Sequence, residues 1–295
     1  MDAIGKISLN LALGVDLIPS FVPYLLLIIA SIVFFLFSWV KARSSMIIPY
    51  YICIAGTIYI FELIIFIIFN SYTYHPGLLK DPFYDSALGA IVSNGFIVPS
   101  TCTLVAVYGI SFGWILILAA GFMGIELTFI HLGIFEHHWW KVIYTGIGII
   151  LLFSIGKWLW HKLSPSKLPY LFRLILLYTI NVSLQGSVIA IYLIFFHQIV
   201  FQPGWFEDPS RDNIAFATLI VHIDSVFFAL LVSLRGNWIW KMILIGLLGC
   251  GYLWLIRQDI LYASSMWSVI LLILLQIIVI QLLSRLYRVI AGKEC

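Results

Sequence analysis

Long apolar runs alternate with short polar segments along almost the whole chain. A helix needs roughly 20 apolar residues to cross the hydrocarbon of a bilayer. Nine runs reach about that length, at residues 17–40, 46–69, 87–108, 114–134, 142–160, 171–196, 214–234, 238–256 and 266–286. The pattern therefore predicts an all-α integral membrane protein with nine transmembrane helices.

The composition agrees with a lipid environment. Of 295 residues, 63% are hydrophobic and 10% are charged, whereas soluble domains carry about 25% charged residues. The net charge is only +3, which argues against a nucleic-acid partner. We therefore expect the lipid bilayer to surround the chain and the protein to lie in the cell membrane.

The basic residues predict an orientation, because loops rich in Lys and Arg stay on the inner side of a membrane. With the N-terminus outside, the inner set is Lys41, Arg43, Lys157, Lys162, Lys167, Arg173, Arg235, Lys241, Arg285, Arg288 and Lys293. The outer set is then Lys6, Lys80, Lys141, Arg211 and Arg257. The larger inner set favours an outside N-terminus and an inside C-terminus.

One decapeptide pattern, PGxxxDPxxD, occurs twice. Pro76 to Asp85 reads PGLLKDPFYD and Pro203 to Asp212 reads PGWFEDPSRD, an offset of 127 residues (203 − 76). The repeat divides the chain into an N-terminal segment with the first helix (1–45), a first four-helix repeat (46–168) and a second (169–295). Four spans is an even number, so both repeats are predicted to insert in parallel.

The repeated turns contain aspartates with a structural use. Asp85 with Ser86, and Asp212 with Asn213, are predicted to cap the helix that follows each turn, since such side chains accept hydrogen bonds from free N–H groups. The Pro and Gly residues are predicted to form the turn itself. Binding of a cation by these acidic turns is the alternative.

Ionisable groups inside spans are costly and so mark candidate sites. Glu62, Glu126 and His222 each lie roughly 10–12 Å below the predicted outer ends of their spans. Asp224 lies slightly deeper, and Asn181 and Gln185 form a polar stripe on the sixth span. We expect these residues to bind a small solute or cation between the repeats; the alternative is that they only hold helices together.

A second candidate site is the segment ELTFIHLGIFEHH at residues 126–138. His131, Glu136, His137 and His138 are residue types that ligate zinc. Their spacing is not that of HExxH, and two tryptophans follow, so anchoring at the membrane interface is the favoured interpretation. No GxSxG, Walker or HExxH motif predicts a catalytic residue, and nothing indicates a cofactor.

The segments YHPGLLKDPFYDSALGAIVSN and GIELTFIHLGIFEHHWWKVIYTGIG resemble uncharacterised polytopic membrane proteins of Bacillus-like, spore-forming bacteria. The resemblance covers residues 46–162 and implies a bacterial inner membrane without implying an activity.

Three functions are compatible with these observations. The first is a permease-like or binding protein for a small solute or cation. The second is a non-enzymatic membrane scaffold or accessory subunit. The third is a membrane-embedded, metal-dependent enzyme.

Overall fold

A computed structural model describes residues 19–163, 168–234 and 237–291. Within these ranges lie nine helices that are long and apolar enough to cross a membrane, as the sequence predicts. They are α1 (Phe21–Ala42), α2 (Ile47–Ile68), α3 (Pro82–Tyr108), α4 (Phe112–His131), α5 (Val142–Leu163), α6 (Tyr170–Phe196), α7 (Pro209–Ser233), α8 (Trp238–Arg257) and α9 (Met266–Ile290). We call α2–α5 the first unit and α6–α9 the second unit. The first 18 residues of the predicted N-terminal segment lie outside the described residues.

Helices α3 and α7 each begin five residues before the apolar run (87 − 82 and 214 − 209). The reason is a cap one residue earlier: Asp81 accepts from the Tyr84 N–H, and Asp208 from the N–H groups that follow it. A proline occupies the next position, where its missing N–H costs nothing. The capping predicted for Asp85 and Asp212 is therefore wrong. Ser86 and Asn213 are not caps either, since they accept from the Tyr74 and Phe201 N–H groups. The predicted turns are confirmed.

Asp85 and Asp212 instead hold the preceding turns. The Asp85 carboxylate accepts from the backbone N–H groups of residues 77, 78 and 79. Asp212 accepts from those of residues 204, 205 and 206, in the same order. Gly77 and Gly204 both have positive φ, 71° and 78°, a conformation that glycine adopts without a Cβ clash.

Four short strands accompany the helices and were not predicted. The antiparallel pairs are β1 (Tyr72–Tyr74) with β2 (Phe135–His137), and β3 (Ile199–Phe201) with β4 (Leu261–Ala263). Each pair joins the loop after the first helix of a unit to the loop after its third. Three residues per strand are too few to produce an alternating sequence pattern.

The turns that precede β2 and β4 also match each other. The Ile134 N–H donates to the Phe129 carbonyl, and the Ile260 N–H to the Leu255 carbonyl. Here the offset is 126 residues (260 − 134), one less than at the decapeptide. Glu126 on α4 therefore corresponds to Tyr252 on α8.

The two units contact each other through their first two helices. Helix α2 crosses α6 closely, and a Cβ at Gly56 would lie only 1.8 Å from the Thr179 carbonyl oxygen. Asn213 Nδ2 donates to the Tyr84 hydroxyl oxygen at 2.7 Å. Both decapeptide turns and all four strands consequently lie at one end of the helices, which we call the strand end.

We expect Asp85→Ala and Asp212→Ala to lower stability by similar amounts. Each substitution leaves three backbone N–H groups without their acceptor, and one unsatisfied partly buried group costs about 1–3 kcal/mol. The measurement is unfolding of each variant in mixed micelles. Lys80→Ala, an exposed change in the same turn, is the control. A loss confined to one of the two aspartates would contradict the equivalence of the turns.

Candidate binding site

Two helices of the first unit change to π-helical geometry at polar residues. In α2 the π segment Leu63–Ile68 begins directly after Glu62, and in α3 the π segment Ile91–Ile97 contains Asn94. Such segments often occur at functional sites. In α6 and α7 the corresponding stretches are regular α-helix.

Pro99 contributes to the irregularity of α3. Proline has no N–H, so it cannot bond the carbonyl four residues earlier. That carbonyl belongs to Gly95, and it accepts instead from the Tyr51 hydroxyl at 2.8 Å. A contact between α2 and α3 thus replaces a bond within α3.

The strand pair β1–β2 holds both intramembrane carboxylates of the first unit. Tyr72 donates its hydroxyl hydrogen to Glu62 Oε1 at 2.6 Å. His137, directly opposite Tyr72 on the ladder, has Nε2 2.5 Å from Glu126 Oε1. One cross-strand pair therefore fixes both acids.

The Tyr72 hydroxyl keeps its proton. Burial, reinforced by the nearby Glu62 carboxylate, raises the Tyr72 pKa well above its ordinary value. The phenol therefore has a hydrogen to donate, and it donates to Glu62 Oε1 in this contact.

Glu62 and Glu126 line one large cavity, which we call the main cavity. Its volume is about 680 Å³, within the range of roughly 300–1,000 Å³ typical of small-molecule sites. Its lining residues come from α1 to α5, with β1 and β2 at the strand end. Its polar lining residues include Thr57, Glu62, Ser93, Asn94, Glu126 and Thr145.

The remaining walls of the main cavity are apolar and aromatic. The aromatic lining residues are Tyr24, Phe61, Tyr72, Tyr74, Phe122, Phe129, Phe135, Trp139, Trp140 and Tyr144. Among the described residues that line the cavity, none is Lys, Arg or His. The lining therefore combines two acids with aromatic rings, and His137, which is not a lining residue, contacts Glu126.

The main cavity opens sideways. Phe61 on α2 and Ile147, Leu151 and Ile155 on α5 line it and are themselves exposed, between 50% and 57% of each residue. These apolar residues lie within spans, where the surroundings are lipid rather than water. The opening therefore faces the bilayer.

The other predicted site residues lie in two separate places. His222 lines a smaller cavity that also contacts Glu62. Asp224, Asn181 and Gln185 lie in the second unit, in a buried network with Ser225, Tyr252 and Gln276. Asp224 Oδ2 accepts from Gln185 Nε2 at 3.0 Å and from Gln276 Nε2 at 3.2 Å. The structure thus brings Glu62 near Glu126 and His222, and keeps Asp224 apart.

The candidate zinc ligands are dispersed. His131 is exposed at the end of α4, and Glu136 pairs with exposed His75 at 3.7 Å. His138 Nδ1 lies 2.6 Å from the Asn70 carbonyl oxygen. In the described part of the chain, no group of three or more His, Cys, Asp or Glu side chains is arranged to hold a metal ion.

Four residues of these sites were missed in the sequence. Asn94 and Gln276 are polar residues inside spans, so the rule that selected Glu62 would have found them. Tyr72 and Tyr252 look like ordinary interface or core tyrosines, and only the fold brings their hydroxyls to Glu62 and Gln276.

Comparison with protein-family models, curated proteins and solved structures found no match to this chain. Its function has to be argued from the geometry above.

We expect Tyr72→Phe to destabilise the protein by about 1–3 kcal/mol, since it leaves Glu62 Oε1 without its donor. Equilibrium unfolding in mixed micelles measures the change. Tyr262→Phe on strand β4, where the side chain is exposed, should stay within about 0.5 kcal/mol. Equal effects of the two substitutions would show that the Tyr72 hydroxyl contributes nothing specific.

Proposed function

We propose that this multi-pass membrane protein binds a small organic cation with an apolar body in the main cavity. One observation carries the proposal: two carboxylates and a set of aromatic rings line the cavity, without a basic lining residue among those described. A carboxylate attracts a cation strongly where water is scarce, and aromatic faces attract cations within about 6 Å.

The sideways opening restricts the kind of ligand that can reach the main cavity. A ligand that enters between α2 and α5 reaches the cavity from the bilayer, so it must partition into lipid. An amphipathic cation does so, whereas a hydrated metal ion does not. The sequence predicts a ligand between the repeats; the cavity that supports this proposal is lined instead by α1 and the first unit.

The location and architecture belong to the same proposal. The protein would lie in a bacterial cell membrane with its N-terminus outside, as two parallel copies of a four-helix unit preceded by α1. Matching hydrogen bonds at Asp85 and Asp212 support the duplication. Binding would be the first step of a permease-like cycle.

A scaffold or accessory subunit is the second candidate. It is favoured by the buried network around Asp224, whose hydrogen bonds link α6, α7, α8 and α9. Polar contacts of this kind hold membrane helices together without a ligand.

The binding proposal is tested with two probe ions of equal size and opposite charge, tetraphenylphosphonium and tetraphenylborate. We expect purified protein to bind the cation saturably and not the anion, as measured by equilibrium dialysis. Glu62→Gln and Glu126→Gln should each weaken binding of the cation about tenfold or more.

Two acidic residues outside the main cavity supply the controls. Asp224→Asn changes an intramembrane acid of the second unit, and Glu136→Gln changes an exposed acid at the strand end. Both should leave binding unchanged. Equal binding of the two ions would refute the proposal. So would cation binding that neither Glu62→Gln nor Glu126→Gln weakens.

The architecture is tested by labelling cells with a membrane-impermeant maleimide. Lys80→Cys and Glu207→Cys lie at equivalent exposed positions of the two decapeptide turns, and we expect both to react from outside in a background without the native cysteines. Lys41→Cys should not react. Labelling of the two turns from opposite sides would refute the parallel duplication, and labelling of both only after lysis would refute the orientation.

A further inference from the structure

A second, smaller cavity lies between the two units. Its volume is about 90 Å³, and it is lined by Glu62 and Asn94 from the first unit and by Thr218 and His222 from the second. Glu62 and Asn94 line the main cavity as well. The two cavities therefore meet at these side chains.

Three buried polar atoms of residues that line the second cavity lack a hydrogen bond of good geometry among the described residues: Glu62 Oε2, Asn94 Nδ2 and His222 Nε2. The Asn94 amide still interacts with the Glu62 carboxylate. Buried polar atoms are nearly always paired, with protein or with water. Glu62 and His222, on the two sides of this small space, therefore each have a polar atom available to an occupant.

The known hydrogen bonds determine whether each of these atoms is a donor or an acceptor. His222 Nδ1 lies 2.8 Å from the Thr218 carbonyl oxygen; a carbonyl only accepts, so Nδ1 carries the hydrogen. In the neutral ring Nε2 then presents a lone pair. Asn94 Nδ2 is a donor beside the Glu62 carboxyl group, whose Oε1 accepts from the Tyr72 hydroxyl.

Water fits this set of groups. A water molecule can donate to Nε2 and to Oε2 while it accepts from Asn94 Nδ2, which gives the roughly three hydrogen bonds typical of a buried water. A cavity of this size exceeds the roughly 10–15 Å³ that one water needs.

We propose that the second cavity is a water site through which Glu62 and His222 exchange a proton. When Glu62 is protonated, its Oε2–H donates to the water and the water donates to His222 Nε2. In the forward step the Glu62 O–H bond breaks as the water oxygen takes that proton, the water O–H bond toward His222 breaks, and an N–H bond forms at Nε2. The products are a Glu62 carboxylate and a His222 imidazolium. No other reactant is needed, and the reverse step restores both neutral groups.

The other titratable side chains at this place are tyrosines. Tyr59 on α2 lines the second cavity and its hydroxyl contacts Ser187 Oγ at 3.2 Å. Tyr178 on α6 meets the His222 ring edge to face, with centroids 6.3 Å apart. Asp224, two residues after His222, bonds instead to Gln185 and Gln276. Glu62 is thus the carboxyl group that shares a cavity with His222.

The exchange matters for the proposed function because Glu62 lines the main cavity, where only its ionised form attracts a cation. The test uses ligand-free protein, so its result does not depend on whether the main cavity binds a cation.

The experiment is solid-state NMR of the full chain in lipid bilayers, with ¹⁵N-labelled histidine and ¹³C-labelled glutamate, over a pH series. We expect a correlation between water protons and His222 Nε2. Glu62→Gln removes a carboxylate beside His222 and should lower the His222 titration midpoint. His222→Gln removes an imidazolium beside Glu62 and should raise the Glu62 midpoint. We expect each midpoint to change by about one pH unit or more.

Glu126→Gln is the matched control, because Glu126 lines the main cavity but not the second one; it should leave the His222 midpoint in place. If one variant fails to fold, the other still reports the coupling from its own side. Independent titration of Glu62 and His222, or a His222 Nε2 without water contact, would overturn the proposal.

Discussion

One cross-strand pair, Tyr72 opposite His137, decides where the acids of the first unit point. Lipid offers no hydrogen bonds, so a polar side chain inside a span must find its partner in the protein. Tyr72 bonds Glu62 and His137 bonds Glu126, and the ladder keeps the two partners side by side. Both acids consequently turn into the same space, and the aromatic walls close around them.

In the second unit, the polar side chains within spans find their hydrogen-bond partners in a different way. Gln185, Asp224 and Gln276 stand 127 residues after Ile58, Ile97 and Ile149, three apolar residues that line the main cavity. In the second unit the polar side chains bond one another across helices. In the first unit the acids stand at other positions, bond to the strands, and leave the central space open.

The sequence was sufficient for everything that depends on long apolar runs and on rare residues. It predicted nine helices, and it selected Glu62 and Glu126 because carboxylates inside spans are scarce. It could not place Asp224 apart from them, because depth along a span says nothing about the direction a side chain faces in the bundle. The role of Tyr72 was equally hidden, since it depends on a strand of three residues and on a partner 65 positions away (137 − 72).

Comparison of the two units also separates residues that the fold needs from residues that it does not. At the positions of Glu62 and Asn94, the second unit has Ile189 and Val221, both buried, in helices without a π segment. Helices in this arrangement therefore pack well with apolar side chains at both positions. Glu62 and Asn94 instead place a carboxyl group and an amide inside membrane spans, where polar side chains are costly. Packing does not require this cost, and the proposed cation and water sites give both side chains a use.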